Sequence, residues 1–186
     1  MMEVERTSLD GLLVLKPRIF GDERGHFLET FNERAFAQTT GTEARFVQDN
    51  ESLSKAGVLR GLHFQAAPYE QGKLVHVVRG AVLDVCVDIR PTSPTFGQHI
   101  KIRLDSQTKT MLWIPPGFAH GFVVLEADAV FAYKCTAFYN PQAERTLLWN
   151  DPDLAIDWGI AAPLVSAKDA QGMLFRSYQD NAIGDR

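Results

Sequence analysis

The sequence predicts an all-β protein, an antiparallel barrel or sandwich with short helices near its ends. Two observations carry this. Apolar residues recur with a period of two along most of the chain, as expected where alternate side chains of a strand meet a core. The alternating stretches are short and are separated by Gly, Pro and Asp turns, the punctuation of a meandering β-fold.

Taken in chain order, helical patterning appears first over 32–38, with Asn32 placed to cap it, because a short side-chain oxygen there accepts an unpaired amide of the first turn. In 82–89, Leu83, Val85, Val87 and Ile89 face one way and Asp84, Cys86 and Asp88 the other. Ile100, Ile102 and Leu104 alternate with Lys101 and Arg103, the pattern of a half-exposed strand, and Asp105-Ser106 turns the chain. A strand over 111–114 is broken by Pro115-Pro116-Gly117, and 121–126 and 129–139 continue the series. A second brief helix is expected over 166–171 with Ser166 as its cap.

Composition narrows the functional classes. A chain of 186 residues, 45% hydrophobic, is enough for one sizeable core, and with no linker or repeat a single domain over 1–186 is expected. A net charge of −4 and a pI near 5.7 provide no global basic field, so no nucleic-acid partner is expected and an anionic ligand needs local Arg and Lys. The start, Met1-Met2-Glu3-Val4-Glu5-Arg6, lacks the apolar run of a signal peptide, and no stretch is long enough to cross a bilayer, so no membrane partner is expected. Cys86 and Cys135 form no C-x-x-C pair and read as buried, reduced thiols of a cytoplasmic protein.

Strand parity points to a site. Over 129–139, Phe131, Tyr133, Cys135, Ala137 and Tyr139 share one face, so both tyrosines are expected to look into one cavity. His63 shares a face with Gly61 and Gln65, whereas Arg60 points the other way unless a bulge intervenes. Each residue alone has an ordinary structural reading: a packed tyrosine with its hydroxyl satisfied, a structural histidine, a solvated Arg60 or Lys73.

The densest motif is Arg60-Gly61-Leu62-His63-Phe64-Gln65, followed ten residues after the histidine by Lys73. It matches much of the metal-binding pattern of cupin barrels, G-x5-H-x-H-x3,4-E and then P-x-G-x-x-H. Gly57, His63 and Glu70 fall at the first spacing, and 115–120 ends on His120. Gln65 stands where the second histidine belongs, and an amide oxygen is a weak ligand for the metals that imidazole suits. The pattern favours a cupin-like double-stranded β-helix, or jelly roll, whose histidines do something other than bind metal. A metal-dependent enzyme using His63, Glu70 and His120 stays open beside that reading.

The run 60–65, then Gln71-Gly72-Lys73, resembles the dTDP-4-dehydrorhamnose 3,5-epimerase family of sugar-nucleotide enzymes. The resemblance continues through Phe20-Gly21-Asp22-Glu23-Arg24-Gly25, Gln48-Asp49-Asn50, Val85-Cys86-Val87-Asp88-Ile89-Arg90, Ser93-Pro94-Thr95-Phe96-Gly97 and 114–122. It ends on Tyr133-Lys134-Cys135, Trp149-Asn150-Asp151-Pro152 and 164–169. Each motif is short, but the ordered set spans nearly the whole chain and is specific.

What the resemblance implies is inversion of C3 and C5 of a dTDP-4-dehydro-6-deoxy sugar, both carbons lying alpha to the C4 ketone. His63 is then the base, since imidazole is the side chain best suited to proton abstraction at cellular pH. Asp169 holds the imidazole tautomer, Lys73 stabilises the oxyanion, and Tyr133 returns a proton from the opposite face. No redox cofactor or metal is required by this chemistry. The resemblance further implies that Arg24, Glu29, Gln48, Asp49, Asn50, Arg60, His120, Glu144 and Lys168 line the substrate site, with Arg60 and Lys168 suited to phosphate oxygens and Tyr139 to stacking on thymine. It implies a homodimer in which early residues reach the partner's site. Epimerases that invert only C5 or only C3 share this machinery. A non-catalytic sugar-nucleotide binder would lose the acid–base set that this chain keeps.

Overall fold

Two long strands organise the molecule. The computed structural model describes residues 2–184. In chain order the strands are β1 (Glu3–Arg6), β2 (Leu13–Lys16), β3 (Ile19–Asp22), β4 (Gly25–Leu28), β5 (Gln48–Ser54), β6 (Val58–Gln65), β7 (Lys73–Asp88), β8 (His99–Asp105), β9 (Met111–Ile114), β10 (Phe118–Cys135), β11 (Glu144–Thr146) and β12 (Leu164–Val165). Helix α1 (Glu33–Thr40) follows β4, and α2 (Phe175–Gly184) ends the described chain.

Strands β7 and β10 pair antiparallel along their length, from Phe118 opposite Asp88 to Cys135 opposite Lys73. Each takes different outer neighbours along its two halves. β7 pairs with β9 over 73–76 and with β8 over 81–87, while β10 pairs with β6 over 120–123 and with β5 over 129–135. One bent ladder therefore serves both walls of a barrel, in a ten-stranded sheet ordered β1-β2-β9-β7-β10-β6-β11 with β12, β5 and β8 attached at its sides. The bend falls where β10 carries irregularities between Val124 and Phe131. Opposite it, Gly80 has φ +83° and its Cα approaches so closely that a Cβ would sit 2.7 Å from the Asp128 carbonyl, so a side chain has no room.

Packing follows from alternation on strands covered on both sides. Val82 and Cys86 of β7 point into the inner core with Val75, Phe122 and Phe131, whereas Val85 and Val87 join Leu59, Leu62, Phe64 and Trp158 in an outer core. A third cluster packs Phe36 of α1 against Leu15, Leu74 and Trp113. Burying each such large side chain contributes about 1.5–3 kcal/mol before conformational entropy is counted. The polar face of 82–89 is also interior: Asp84 and Asp88 are 1% and 0% exposed.

Most expected elements stand. The 111–114 strand and the alternation of 100–104 are present, and Asn32 Oδ1 accepts the Ala35 amide at 3.0 Å to cap α1, which runs two residues beyond Gln38. Two expectations need correction, and one element was not expected. The stretches 121–126 and 129–139 are parts of one bulged strand, which ends at Cys135, so strand parity does not reach Tyr139. The helix over 166–171 is a single 3-10 turn, Asp169–Gln171, with Ser166 Oγ accepting the Asp169 amide at 3.1 Å. Helix α2 is an element the sequence pattern does not announce; Phe175 and Tyr178 supply its contact with the outer core.

Candidate active site

A bulge on β6 assembles the site. Opposite β10, Arg60 pairs with Phe122 and His63 with His120, so three steps along β6 match two along β10. The extra residue sends Leu59, Leu62 and Phe64 to the outer core, which puts Arg60 and His63 together on the other face. This is the condition under which the sequence allowed them to share a face. Gly61 makes the bulge feasible: its φ is +121°, and a Cβ there would lie 2.6 Å from Gly121 Cα.

His63 Nε2 lies 2.5 Å from Asp169 Oδ1, which leaves Nδ1 as the ring nitrogen available to a ligand. Asp169 is 3% exposed. Burial pushes its carboxyl pKa up, but the His63 bond and charge, with the Ser166 hydroxyl and the Gly61 backbone N–H, outweigh burial and hold it below the usual range. The carboxylate is therefore ionised and oriented from two sides.

His63, Lys73, Tyr133, Tyr139, Gln48, Asn50 and Glu144 line one cavity of about 210 Å³. Lys73, first residue of β7, brings its ammonium deep enough that burial lowers its pKa, against the upward pull of the Cys135 and Cys86 thiols and the Asp84 and Glu144 carboxylates. Tyr133 is raised above 10 by burial, reinforced by Cys135 and Glu144 and opposed by Arg60, so its hydroxyl keeps its proton at neutral pH. Arg60 Nε donates to Ser54 Oγ at 2.9 Å on this side of the barrel.

Tyr139 sits at the rim, 52% exposed, beyond the end of β10. Its amide donates to Gln48 Oε1 at 2.9 Å and its hydroxyl to Glu144 Oε2 at 2.7 Å. Glu144 in turn pairs with Lys168 at 2.5 Å, so the expected rim residues form one chain of contacts.

Arg60 and Lys168 stand beside this cavity without lining it, and four more expected residues are not brought to it within one chain. Asp49 alternates with Gln48 and Asn50, and turns outward to pair with Lys134 at 2.9 and 3.0 Å. Arg24 lies in the β3–β4 turn, paired with Asp22, and Glu29 follows β4; this hairpin is a separate two-stranded sheet. His120 is 7% exposed, lies opposite His63 in register, stacks beside Phe131 and bonds Asp84 at 2.9 Å, outside the cavity lining. The parity of 82–89 places Asp84 and Cys86 on one face, but nothing in the sequence ties that face to His120.

The metal pattern is not assembled. The Gln65 amide is consumed by Tyr69 O, Phe138 O and Asn140 N, and Glu70 lines an adjoining, larger cavity of about 620 Å³ that shares Lys73 and Gln71 with the first but does not include His63. Among the described residues, the group with ligand atoms close enough for a shared ion is Asp84, Cys86 and His120, which excludes His63 and Glu70.

The family model described as dTDP-4-dehydrorhamnose 3,5-epimerase matches residues 6–177. The dTDP-4-dehydrorhamnose 3,5-epimerase of Shigella flexneri is 50% identical over 174 residues, covering 94% of this chain and 96% of that protein. The enzyme of the same name from Pseudomonas aeruginosa is 51% identical over 175 residues, with the same coverage of 94% and 96%. Among solved structures, the dTDP-6-deoxy-D-glucose-3,5-epimerase of Legionella pneumophila in complex with dTDP-4-keto-L-rhamnose is 49% identical, with a TM-score of 0.91 and coverage of 95% and 94%.

Proposed function

The chain belongs to the dTDP-4-dehydrorhamnose 3,5-epimerase family, and on that premise we propose that His63 and Tyr133 invert C3 and C5 of dTDP-4-dehydro-6-deoxy-glucose from opposite sides of one cavity. His63 Nδ1 takes the proton from the carbon alpha to the ketone, and the bonding pair moves into the ring to leave an enolate on O4. Lys73 stabilises that oxyanion, where a cation drawn partly out of water acts more strongly than in solvent. The Tyr133 hydroxyl then donates its proton to the opposite face, O4 returns to a carbonyl, and both side chains exchange with solvent. Repetition at the second alpha carbon gives dTDP-4-dehydro-L-rhamnose. The observation that carries the reading is the Asp169-oriented His63 in one cavity with a protonated Tyr133 and a desolvated Lys73.

The chemistry uses no metal on this reading, because the base, cation and acid are all side chains. The partner is the dTDP-sugar, and the assembly a homodimer in which Arg24 and Glu29 serve the other subunit's site. The β3–β4 hairpin supports this, since Phe20 and Phe27 on it are 50% and 70% exposed. Two unpaired buried cysteines fit a cytoplasmic location.

Incubation with dTDP-4-keto-6-deoxyglucose in deuterated water, followed by NMR, tests the activity. Deuterium at both C3 and C5 with inversion is expected. Label at one carbon alone would make the enzyme a mono-epimerase, and label at neither would reject the assignment. Light scattering that returned a monomer would reject the shared site.

A further inference from the structure

Tyr139 rides on a short arm, 136–140, that follows β10 and, past Thr136, whose amide still donates to Gly72 O at 2.9 Å, runs outside the strands. Side-chain amides take over the role of a ladder. Gln65 Nε2 donates to Phe138 O at 3.2 Å and Gln65 Oε1 accepts the Asn140 amide at 2.7 Å. Gln71 Nε2 donates to Ala137 O at 2.8 Å, and Gln48 Oε1 accepts the Tyr139 amide. Gln65 Nε2 has a second acceptor, Tyr69 O at 2.6 Å, in the loop that leads to Lys73. The arm and that loop are thus tied through one side chain that is 6% exposed.

We propose that Gln65, assisted by Gln71, is a positioning residue that sets nucleotide affinity by holding the Tyr139 arm against the loop leading to Lys73. The inference rests on reading Tyr139 as the nucleobase platform. It also explains why an amide occupies the place of a metal-binding histidine in the barrel motif. Gln65 uses two donors and one acceptor, whereas a neutral imidazole has one of each and would leave a backbone carbonyl unpaired. A carboxylate would present only acceptors to Tyr69 O and Phe138 O. The replacement that removes a metal ligand is the one that builds the arm.

The test uses Gln65→Met and Gln71→Met, which keep length and lose hydrogen bonding, with dTDP as the probe in titration calorimetry. Gln65→Met is expected to raise the dTDP Kd and the substrate KM about tenfold, the scale of one or two neutral hydrogen bonds, while kcat at saturation stays within about threefold. Gln71→Met should act in the same sense with a smaller rise. In a Tyr139→Ala background, Gln65→Met should add less than about twofold, because both act through the same ring. A general structural defect would instead lower kcat and add in full to Tyr139→Ala, which would overturn the proposal. Weakened binding in Tyr139→Ala with wild-type affinity in both glutamine variants overturns this inference alone. Unchanged affinity in Tyr139→Ala overturns the platform reading and this inference with it. Should Gln65→Met fail to fold, as a thermal melt would show, the less buried Gln71 decides.

Discussion

Replacing Asp169 by asparagine should damage the enzyme more than replacing it by alanine. The carboxylate faces His63 Nε2 on one side and is approached by the Gly61 N–H and the Ser166 hydroxyl on the other. A backbone N–H can only donate, so in Asp169→Asn the amide oxygen of the new side chain is drawn to that side. Its NH2 then points at His63 Nε2, which must accept, and the ring proton moves to Nδ1. That is the nitrogen needed as the base. The expected loss is about 10³–10⁴-fold in solvent exchange at C3 and C5, the scale of a general base removed by the wrong tautomer. This corresponds to about 4–5 kcal/mol of barrier. Asp169→Ala removes only the charge-assisted bond and leaves the tautomers free, so about 10–100-fold is expected. Deuterium wash-in followed by NMR measures both, with dTDP affinity as the control for folding. An alanine variant slower than the asparagine variant would refute the tautomer argument. With His63→Asn already in place, either Asp169 change should add almost nothing, because the two act as one unit.

Removing only a hydroxyl separates the tyrosines. Tyr133→Phe should abolish inversion while wash-in by His63 persists, and Tyr139→Phe should be mild, whereas Tyr139→Ala should weaken dTDP binding by about 1–3 kcal/mol; exchanged phenotypes would reverse the roles. The alkaline limb of kcat belongs to Lys73, whose ammonium is lost as pH rises through a pKa below its usual 10.5, while Tyr133 keeps its proton to a higher pH than usual. Lys73→Arg should therefore be slower but lose that limb, because guanidinium stays charged; an unchanged limb would count against the assignment. Activity should survive exhaustive chelation, checked with elemental analysis; loss on EDTA restored by one divalent ion would reject the side-chain mechanism. Away from the site, Asp88 is held to a pKa of about 2: burial pushes it up, but Arg90, Ser93 and Thr95 pull it further down. Its contribution to stability is present above its unfolded pKa and lost as pH falls through the folded one. Urea titrations should show on the order of 2 kcal/mol disappearing between about pH 4 and pH 2, a component missing from Asp88→Asn.

Local pattern read the barrel well because its signals are local. Alternation over 100–104, the break at 115–117 and the Asn32 cap each depend on a few adjacent residues, and each is present. The failures are long-range. Whether 121–126 and 129–139 are two strands or one depends on whether β7 bends alongside, which no residue in that stretch encodes. Tyr139 reaches the expected cavity by a different route from the one parity offers. It is held at the rim by Gln48 and Glu144 after its strand has ended.

The site divides along the same line. His63 and Lys73 were legible as chemistry in a dense motif, and the bulge that unites His63 with Arg60 was legible as a condition, because Gly61 is the residue a bulge would use. Asp169 entered only through the family resemblance, since 106 residues separate it from His63 and a carboxylate near a chain end has no periodicity of its own. Gln65 shows the converse. Its position in the motif said only that it would be a weak metal ligand. What it does lies in partners at 69, 138 and 140, and only the fold brings those three backbone groups to one amide. A motif with one altered member thus constrains chemistry by exclusion, and the altered side chain has to be traced to its new partners before the site is understood.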